Sequence, residues 1–207
     1  MSSTEHTVST HVHRDDVGSR MGMWLFLFTE LILFGGMFLL YSVYRFEYPE
    51  AFHLAAKELN TIMGAFNTAV LLTSSMTIAL SIVAIQRDQK TLSIIMQLIT
   101  IFLAIVFLVN KYFEWTAKFH HGIYPGSEEL LSKGSGEILF FGLYYVMTGL
   151  HGLHVIVGMI LIAVMTRMTR REIITKDNYV RLENAGLYWH LVDIIWIFLF
   201  PLFYLIA

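Results

Sequence analysis

The chain of 207 residues is strongly apolar, with 56% of its residues hydrophobic and only 14% charged, against about 25% charged residues in an ordinary soluble domain. That balance excludes a water-soluble globular protein, whose surface needs more charged residues. The net charge of −2 indicates no particular class of partner. The sequence has no cysteine, which excludes disulfides, thiolate metal sites and cysteine nucleophiles. Its basic clusters are short and lie beside apolar segments, which indicates membrane topology rather than nucleic-acid binding.

Residues 1–20 form a polar segment that we predict to be a solvated cytoplasmic tail. It contains His6, His11 and His13, which leaves a weak metal site as an alternative. The apolar stretch that follows is too long for the hydrophobic core of a cleaved signal peptide. We therefore expect the first helix to remain in the mature protein.

Five segments are apolar and reach or exceed the ~20 residues that a helix needs to cross a bilayer. They cover residues 21–44, 60–85, 91–113, 138–166 and 187–206. Apolar residues lie all round these segments without strict alternation, and helices satisfy their own backbone hydrogen bonds in lipid. The sequence therefore predicts an all-α integral membrane bundle of five transmembrane helices in a single membrane domain, residues 21–207.

Basic residues in the flanks predict the orientation, because cytoplasmic flanks collect Lys and Arg. With the N-terminus inside, nine basic residues lie inside and five lie outside. The inside set is Arg14, Arg20, Arg87, Lys90, Arg167, Arg170, Arg171, Lys176 and Arg181. The outside set is Arg45, Lys57, Lys111, Lys118 and Lys133. This distribution predicts a cytoplasmic N-terminus and an outer C-terminus.

Glu30 lies about nine residues into the first predicted helix, near the middle of the membrane. An ionisable side chain at that depth is costly and usually faces the bundle interior, where burial favours the neutral carboxyl. One interpretation is a buried carboxyl involved in proton movement or in gating a route for lipid or oxygen. The other is a protonated carboxyl hydrogen-bonded to a neighbouring helix, and the sequence leaves both open.

Glu114 follows the third predicted helix among aromatic residues, which gather at the level of the membrane interface. We therefore predict that Glu114 is interfacial rather than buried. The loop from 114 to 137 is the longest predicted connection, and glycines and Pro125 interrupt any helix there. We expect an ordered loop on the outer side.

The fourth helix places His151 and His154 at i and i+3, on one helix face. Metal or haem binding is one possibility, but haem iron needs axial ligands in a specific register, and only His190 offers a third membrane histidine. We favour hydrogen bonds between helices beside close-packed glycines. No metal site is predicted.

The last helix carries His190 and Asp193 at the same spacing. A carboxylate beside an imidazole is a familiar catalytic unit, but no nucleophile is placed by the sequence to complete one. We predict that these residues make a buried polar contact between helices and have no catalytic role.

Four stretches together resemble the haem-copper oxidase subunit III family, in its short five-helix bacterial form. They are residues 22–36 with their Thr-Glu-Leu core, 67–75, 149–155 and 188–196. The last two, GLHGLHV and YWHLVDIIW, are highly specific in combination. The agreement runs from about residue 21 to residue 205, and the chain lacks the two leading helices of the seven-helix members.

The resemblance implies a subunit without haem or copper of its own, packed against catalytic subunit I and other oxidase subunits in a bacterial cytoplasmic (inner) membrane. Haem and copper are expected in that partner, which reduces oxygen and pumps protons, so oxidoreductase activity belongs to the complex. Glu30 matches the family's reactive intramembrane carboxyl. Family members are thought to sustain proton uptake and to protect the catalytic subunit from inactivation during turnover.

Bound phospholipids also recur in this family, and the sequence offers an independent reason to expect them. Arg167, Arg170 and Arg171 lie just beyond the fourth predicted helix, where basic side chains meet anionic headgroups. The alternative is that these arginines only set the topology.

We expect an accessory subunit of an oxygen-reducing oxidase fed by cytochrome c. Quinol oxidases and nitric oxide reductases have related subunits, and these alternatives stay open. A stand-alone proton-coupled transporter would use Glu30 and the His190 and Asp193 pair as a relay, although the chain shows no inverted repeat or broken helix pair. A membrane cytochrome would use the three membrane histidines, and a visible spectrum would distinguish it.

Overall fold

The computed structural model describes residues 16–205, and within them five helices are long and apolar enough to cross a membrane. This confirms the predicted all-α bundle with five spans. The helices are α1 Asp16–Glu47, α2 Pro49–Ala56, α3 Thr61–Gln86, α4 Lys90–His120, α5 Glu128–Leu131, α6 Ser135–Arg170 and α7 Val180–Tyr204. Residues 1–15, which hold most of the predicted polar tail, and residues 206–207 lie outside the described part of the chain.

The observed helices extend beyond several predicted spans. α4 continues to His120 and α6 begins at Ser135, so the predicted loop from 114 to 137 is reduced to residues 121–134. The sequence has no Gly or Pro between Glu114 and His120, and the first helix-breaking residue is Gly122, whose φ is +70°. The helix therefore ends where glycine first permits a left-handed turn.

The connections between the long helices lie at two ends of the bundle, because consecutive spans alternate in direction. One end carries α2 and α5, and we call it the α2/α5 end. The opposite end carries residues 87–89 and 171–179, and we call it the turn end. The first residues of α1 and α7 lie at the turn end, whereas α4 ends at the α2/α5 end.

An ion-pair cluster closes the α2/α5 end. Lys133 lies 2.6 Å from a Glu58 carboxylate oxygen and 3.3 Å from a Glu137 oxygen. Partial burial alone would lower the pKa of Lys133, but its hydrogen bonds and charge attraction to Glu58 and Glu137 raise that pKa above the ordinary value. The three side chains tie the segment after α2 to the start of α6.

α3 and α4 pack through a line of small polar side chains, which we call the α3/α4 hydroxyl seam. The Thr77 and Thr100 hydroxyls lie 2.7 Å apart, and those of Ser81 and Ser93 lie 3.1 Å apart. The Gln97 amide donates to Ser93 at 3.1 Å. Small polar residues let membrane helices approach closely and hydrogen-bond across the interface.

α7 lies at the centre of the bundle, where two of its tryptophans are fully buried. Trp189 donates its indole N–H to Ser74 and Trp196 donates to Thr68, each at 3.0 Å. Gly158 of α6 admits the Trp189 ring, because a Cβ at that position would lie only 2.7 Å from it. Each buried indole ring is therefore packed against neighbouring side chains, and its N–H has a hydrogen-bond acceptor.

α1 attaches to the bundle along a narrow line. Its buried residues are Leu27, Phe34 and Tyr41, spaced by seven positions, and the Tyr41 hydroxyl donates to the Leu202 carbonyl of α7. Glu30 lies three residues after Leu27 and four before Phe34, so it shares this line of contact. That register brings its carboxyl to α6.

Candidate functional site

The Glu30 carboxyl of α1 meets the imidazole of His154 on α6. Glu30 Oε2 lies 2.9 Å from His154 Nε2, and each side chain is 14% exposed. The Phe34 ring packs edge-on against the His154 ring, with 5.2 Å between centroids. The pair therefore lies at the surface of the bundle, and the predicted burial of Glu30 is incomplete.

The second ring nitrogen of His154 determines how this pair holds a proton. Nδ1 lies 2.8 Å from the Leu150 carbonyl oxygen, which can only accept, so Nδ1 carries a hydrogen. His154 Nε2 and Glu30 Oε2 then share one further proton. Whether that proton is on the carboxyl or on the ring, the pair has no net charge, as an intramembrane position favours.

The sequence did not predict this pairing, because Glu30 and His154 lie in different predicted helices and nothing in the pattern connects them. The two residues are 124 positions apart. The only signal was that both lie well inside predicted membrane helices, where ionisable groups tend to find one another.

His151 lies one turn from His154 but has different surroundings. It is fully buried, and within residues 16–205 neither of its ring nitrogens has a hydrogen-bond partner. Its ring packs against Phe107 and Trp196, at 5.6 Å and 5.2 Å between centroids. The shared helix face inferred from the i and i+3 spacing therefore does not give the two histidines a common site.

His190 and Asp193 also separate. His190 Nδ1 lies 2.7 Å from the Ser75 hydroxyl of α3, so this histidine contacts a neighbouring helix. Asp193 is 3% exposed, and its polar neighbour is the same Ser75 hydroxyl rather than the imidazole. The three side chains do not form a serine–histidine–carboxylate chain, because such a chain requires the carboxylate to bond the imidazole.

The most extensive buried polar group was not predicted from the sequence. Lys111 and Glu114 of α4 form an ion pair with 3.1 Å between Nζ and Oε2. The hydroxyls of Tyr144 on α6 and Tyr204 on α7 donate to Glu114 Oε1 at 2.7 Å and 2.6 Å. Lys111 Nζ in turn donates to Tyr204 at 2.7 Å. We call these four residues the Lys111 cluster.

The prediction that Glu114 is interfacial rather than buried is wrong with respect to burial, since only 6% of the residue is exposed. The physical reason is local: an ammonium one turn away balances its charge, and two hydroxyls satisfy one of its oxygens. The spacing of Lys111 and Glu114 at i and i+3 was the available signal, because opposite charges at that spacing meet on a helix face.

The three arginines at the end of α6 are exposed at the turn end. Arg167 and Arg170, with Thr166 and residues of α4, line a shallow cavity of about 300 Å³. Arg171 is the residue that follows α6. All three lie at the end of a candidate membrane span.

The three membrane histidines have different surroundings in the part of the chain that the structure describes. Between residues 16 and 205, no three His, Asp or Glu side chains form a group that could hold a metal ion. His154 is bonded to Glu30, His190 is bonded to Ser75, and aromatic rings enclose His151. An axial haem pair or a copper site would need such nitrogens to converge on one position.

Five apolar spans with polar contacts between them define a multi-pass membrane protein. Residues 2–207 match the sequence model of the family described as cytochrome c oxidase subunit III, and the chain belongs to that family. Subunit III is a non-catalytic component of oxidases, so membership implies association with other oxidase subunits.

Some similar proteins are named as cytochrome c oxidase subunits, and others are named as quinol oxidase subunits. The chain is 34% identical to cytochrome c oxidase subunit 3 of Alkalihalophilus pseudofirmus, over 90% of this chain and 86% of the relative. It is 29% identical to the probable quinol oxidase subunit 3 of Staphylococcus saprophyticus, over 100% of this chain and 98% of the relative. It is also 31% identical, over 90% of its length, to heme-copper oxidase subunit I+III of Aeropyrum pernix, but spans only 22% of that fused relative.

Proposed function

We propose that this chain packs against the catalytic subunit I of a haem-copper oxidase and sustains its proton uptake. The fused relative supports the choice of partner, because there a subunit I and a subunit III are named within one polypeptide. In this proposal haem and copper belong to the catalytic subunit, together with oxygen reduction and proton pumping. This chain supplies assembly contacts and a proton-holding group.

The observation that carries the proposal is the pair of Glu30 and His154. Its carboxyl oxygen and ring nitrogen lie 2.9 Å apart, and transfer of a proton between them would leave the net charge of the pair unchanged. The pair is also partly exposed at the bundle surface, where a neighbouring subunit can reach it. An acid and a base in contact at membrane depth are a common element of proton relays in membrane proteins.

Removal of this chain from the assembled oxidase tests the proposal. Oxidase lacking it should start at a near-normal rate of oxygen consumption and then lose activity over repeated turnovers faster than the complete complex. Adding the chain back should restore the durability. An oxidase that is intact in its catalytic subunit and haems but inactive from its first turnover would contradict an accessory role.

For the electron donor we propose cytochrome c, as expected from the sequence resemblance and the family's name. Quinol is the second candidate, favoured by the relative from Staphylococcus saprophyticus that matches over its whole length. Isolation of the complex in mild detergent decides between them. Reduced cytochrome c should support oxygen consumption, and activity with quinol alone would reverse the assignment.

We further propose a bacterial cytoplasmic membrane location with the turn end inside, supported by the nine-to-five distribution of basic residues. A cysteine replacing Lys176 should resist impermeant thiol reagents in intact cells, whereas one replacing Ser132, which is exposed at the α2/α5 end, should react. The chain has no cysteine of its own, so the background is clean. The reverse labelling pattern would invert the topology.

Lipid binding at the turn end completes the proposal. Arg167, Arg170 and Arg171 are exposed together beside the membrane, and each basic residue contributes about 1 kcal/mol of attraction to an anionic surface. Replacing all three with Gln should reduce the anionic phospholipid that copurifies with the complex. Replacement with Lys, which keeps the charge, is the matched control.

A further inference from the structure

The contact between α1 and α7 leads from the turn end of the bundle towards Glu30. It is formed by residues 19–30 and 183–188, and we call it the α1/α7 seam. An ion pair lies at its exposed mouth, where Arg20 donates from Nε and Nη2 to Glu183 Oε2 at 3.1 Å and 2.7 Å. The two side chains are 47% and 32% exposed. Both bonds reach the same carboxylate oxygen, so Glu183 Oε1 can still accept a hydrogen bond from water.

Asn184 is the next polar side chain of α7 after this ion pair. Its amide donates to Ser19 Oγ at 3.0 Å, which joins α7 to α1. Its side-chain oxygen Oδ1 is buried and has no hydrogen-bond partner among residues 16–205. Buried polar atoms of this kind are commonly satisfied by ordered water. The seam therefore offers an acceptor at which water can bind between the two helices.

Tyr188 lies one helical turn deeper in the bundle than Asn184 and on the same face of α7. It is only 2% exposed, and its ring stacks on Phe26 of α1 with 6.0 Å between centroids. Its hydroxyl donates to the His154 carbonyl at 3.2 Å, beyond the roughly 2.5–3.0 Å that is usual for such a bond. The Glu30 carboxyl is near enough to interact electrostatically with this hydroxyl. A weakly held hydroxyl therefore lies beside Glu30.

The opposite side of the pair of Glu30 and His154 is closed by apolar side chains. Residues 31–40 of α1 are all aliphatic, aromatic or glycine. Phe34 is 1% exposed and packs edge-on against His154. Further along α1, Tyr41 is fully buried and packs edge-on against Phe52, with 5.4 Å between centroids. Polar side chains of the α1/α7 seam thus lead from the pair to the turn end, whereas aromatic rings separate the pair from the α2/α5 end.

We propose that the pair of Glu30 and His154 exchanges its proton with the turn end, through Asn184 and Tyr188, and not with the α2/α5 end. A proton from water in the seam binds the Tyr188 oxygen as the hydroxyl passes its own proton to Glu30. Tyr188 then has as many protons as before, and the pair has gained the one that water lost. The rise from Arg20 to Glu30 along α1 is about 15 Å, and bridging waters connect the side chains over that distance. This inference rests on the proposed proton role of the pair, and with the turn end inside the exchange is with the cytoplasm.

Hydrogen–deuterium exchange in the assembled oxidase tests this route. The infrared bands of the pair are those that Glu30→Gln removes, and their shift after transfer into deuterated buffer measures the rate of proton exchange. Tyr188→Phe keeps the ring and removes only the hydroxyl. It should slow the exchange by roughly 100-fold, the lower end of the contribution of a positioned proton-transfer group. Tyr41→Phe is the matched control and should leave the rate unchanged, because the Tyr41 hydroxyl also donates to a backbone carbonyl but lies on the opposite side of the pair.

Asn184 supplies a second pair of variants, each measured in complex that has retained the chain. Asn184→Leu should slow the exchange, whereas Asn184→Asp keeps an oxygen acceptor and should retain the parental rate. A parental rate in Tyr188→Phe or in Asn184→Leu would overturn the route, as would slower exchange in Tyr41→Phe. Failure of the proposed function has a different signature, which is normal durability of the oxidase with Glu30→Gln.

Discussion

The Lys111 cluster and the pair of Glu30 and His154 both join a carboxyl to a base within the membrane bundle, but they are built differently. Lys111 and Glu114 have side chains 10% and 5% exposed and are held by two tyrosine hydroxyls from other helices. The Glu30 and His154 side chains are each 14% exposed and are joined by one hydrogen bond. An ionised pair with several extra hydrogen bonds stabilises a fixed arrangement, whereas a single shared proton can move.

The largest effect on stability is expected from Lys111→Met. It leaves the Glu114 carboxylate buried without its counter-charge, and breaking a buried ion pair on one side costs about 3–5 kcal/mol. Titration with a denaturing detergent, followed by circular dichroism, measures the loss. The double variant Lys111→Met with Glu114→Gln removes both charges and should recover most of it. If the single variant were as stable as the parent, the cluster would not have the structural role assigned here.

Asp193 should give a smaller effect. Its carboxyl is 3% exposed, and the Ser75 hydroxyl is its polar neighbour. Asp193→Asn keeps the shape and the capacity to hydrogen-bond, so it should change the stability of the bundle little. Asp193→Leu removes that contact and adds volume to a buried site, where overpacking costs about 1–3 kcal/mol. The same detergent titration measures both variants, and a Leu variant as stable as the parent would show that the site is not tightly packed.

Glu30→Gln should have little effect on stability, because a hydrogen bond between membrane helices contributes only about 0.6 kcal/mol on average. Its effect should appear in function, since Gln keeps the volume and hydrogen bonding but has no proton to lose. We expect near-normal initial oxygen consumption and faster loss of activity over repeated turnovers. His154→Gln should give the same result if the two residues act together. Complete loss of oxygen reduction from the first turnover, in an intact complex, would place Glu30 in the catalytic route.

Lys133→Gln should give the smallest effect. Its partners Glu58 and Glu137 are partly exposed, and such ion pairs contribute about 0.2–1 kcal/mol. The pKa of Lys133 is raised above its ordinary value of 10.5 in the folded state. The stabilisation from its ion pairs is therefore fully present below pH 10.5 and is lost as the pH rises through the raised pKa. Thermal unfolding of the parent and of Lys133→Gln, at pH 8 and at high pH, measures the size of the effect and its pH dependence. A drop as large as that of Lys111→Met would remove the distinction between surface and buried pairs.

The five spans could be predicted from the sequence, because the length and apolar character of a membrane helix are local properties. Contacts between helices were not predictable in the same way. Tyr144 and Tyr204 reach Glu114 from 30 and 90 positions away, and nothing in the sequence near them indicates that contact. The sequence predicted that His190 and Asp193 make a polar contact with another helix, but it did not identify the partner, which for His190 is Ser75 of α3. Spacing identified candidate residues, and packing selected their partners.

The α3/α4 hydroxyl seam has a consequence for how the chain enters the bilayer. α3 and α4 are joined by only residues 87–89, and the Gln97 amide finds its acceptors on its own helix and on Thr169 of α6. The Thr77 and Thr100 hydroxyls, and those of Ser81 and Ser93, meet only when α3 and α4 lie together. A lone helix would carry these groups into hydrocarbon with fewer partners. The two helices are therefore suited to leave the translocation machinery together, as one helical hairpin. The hydrogen bonds between their hydroxyl groups would then be formed before the hairpin enters lipid.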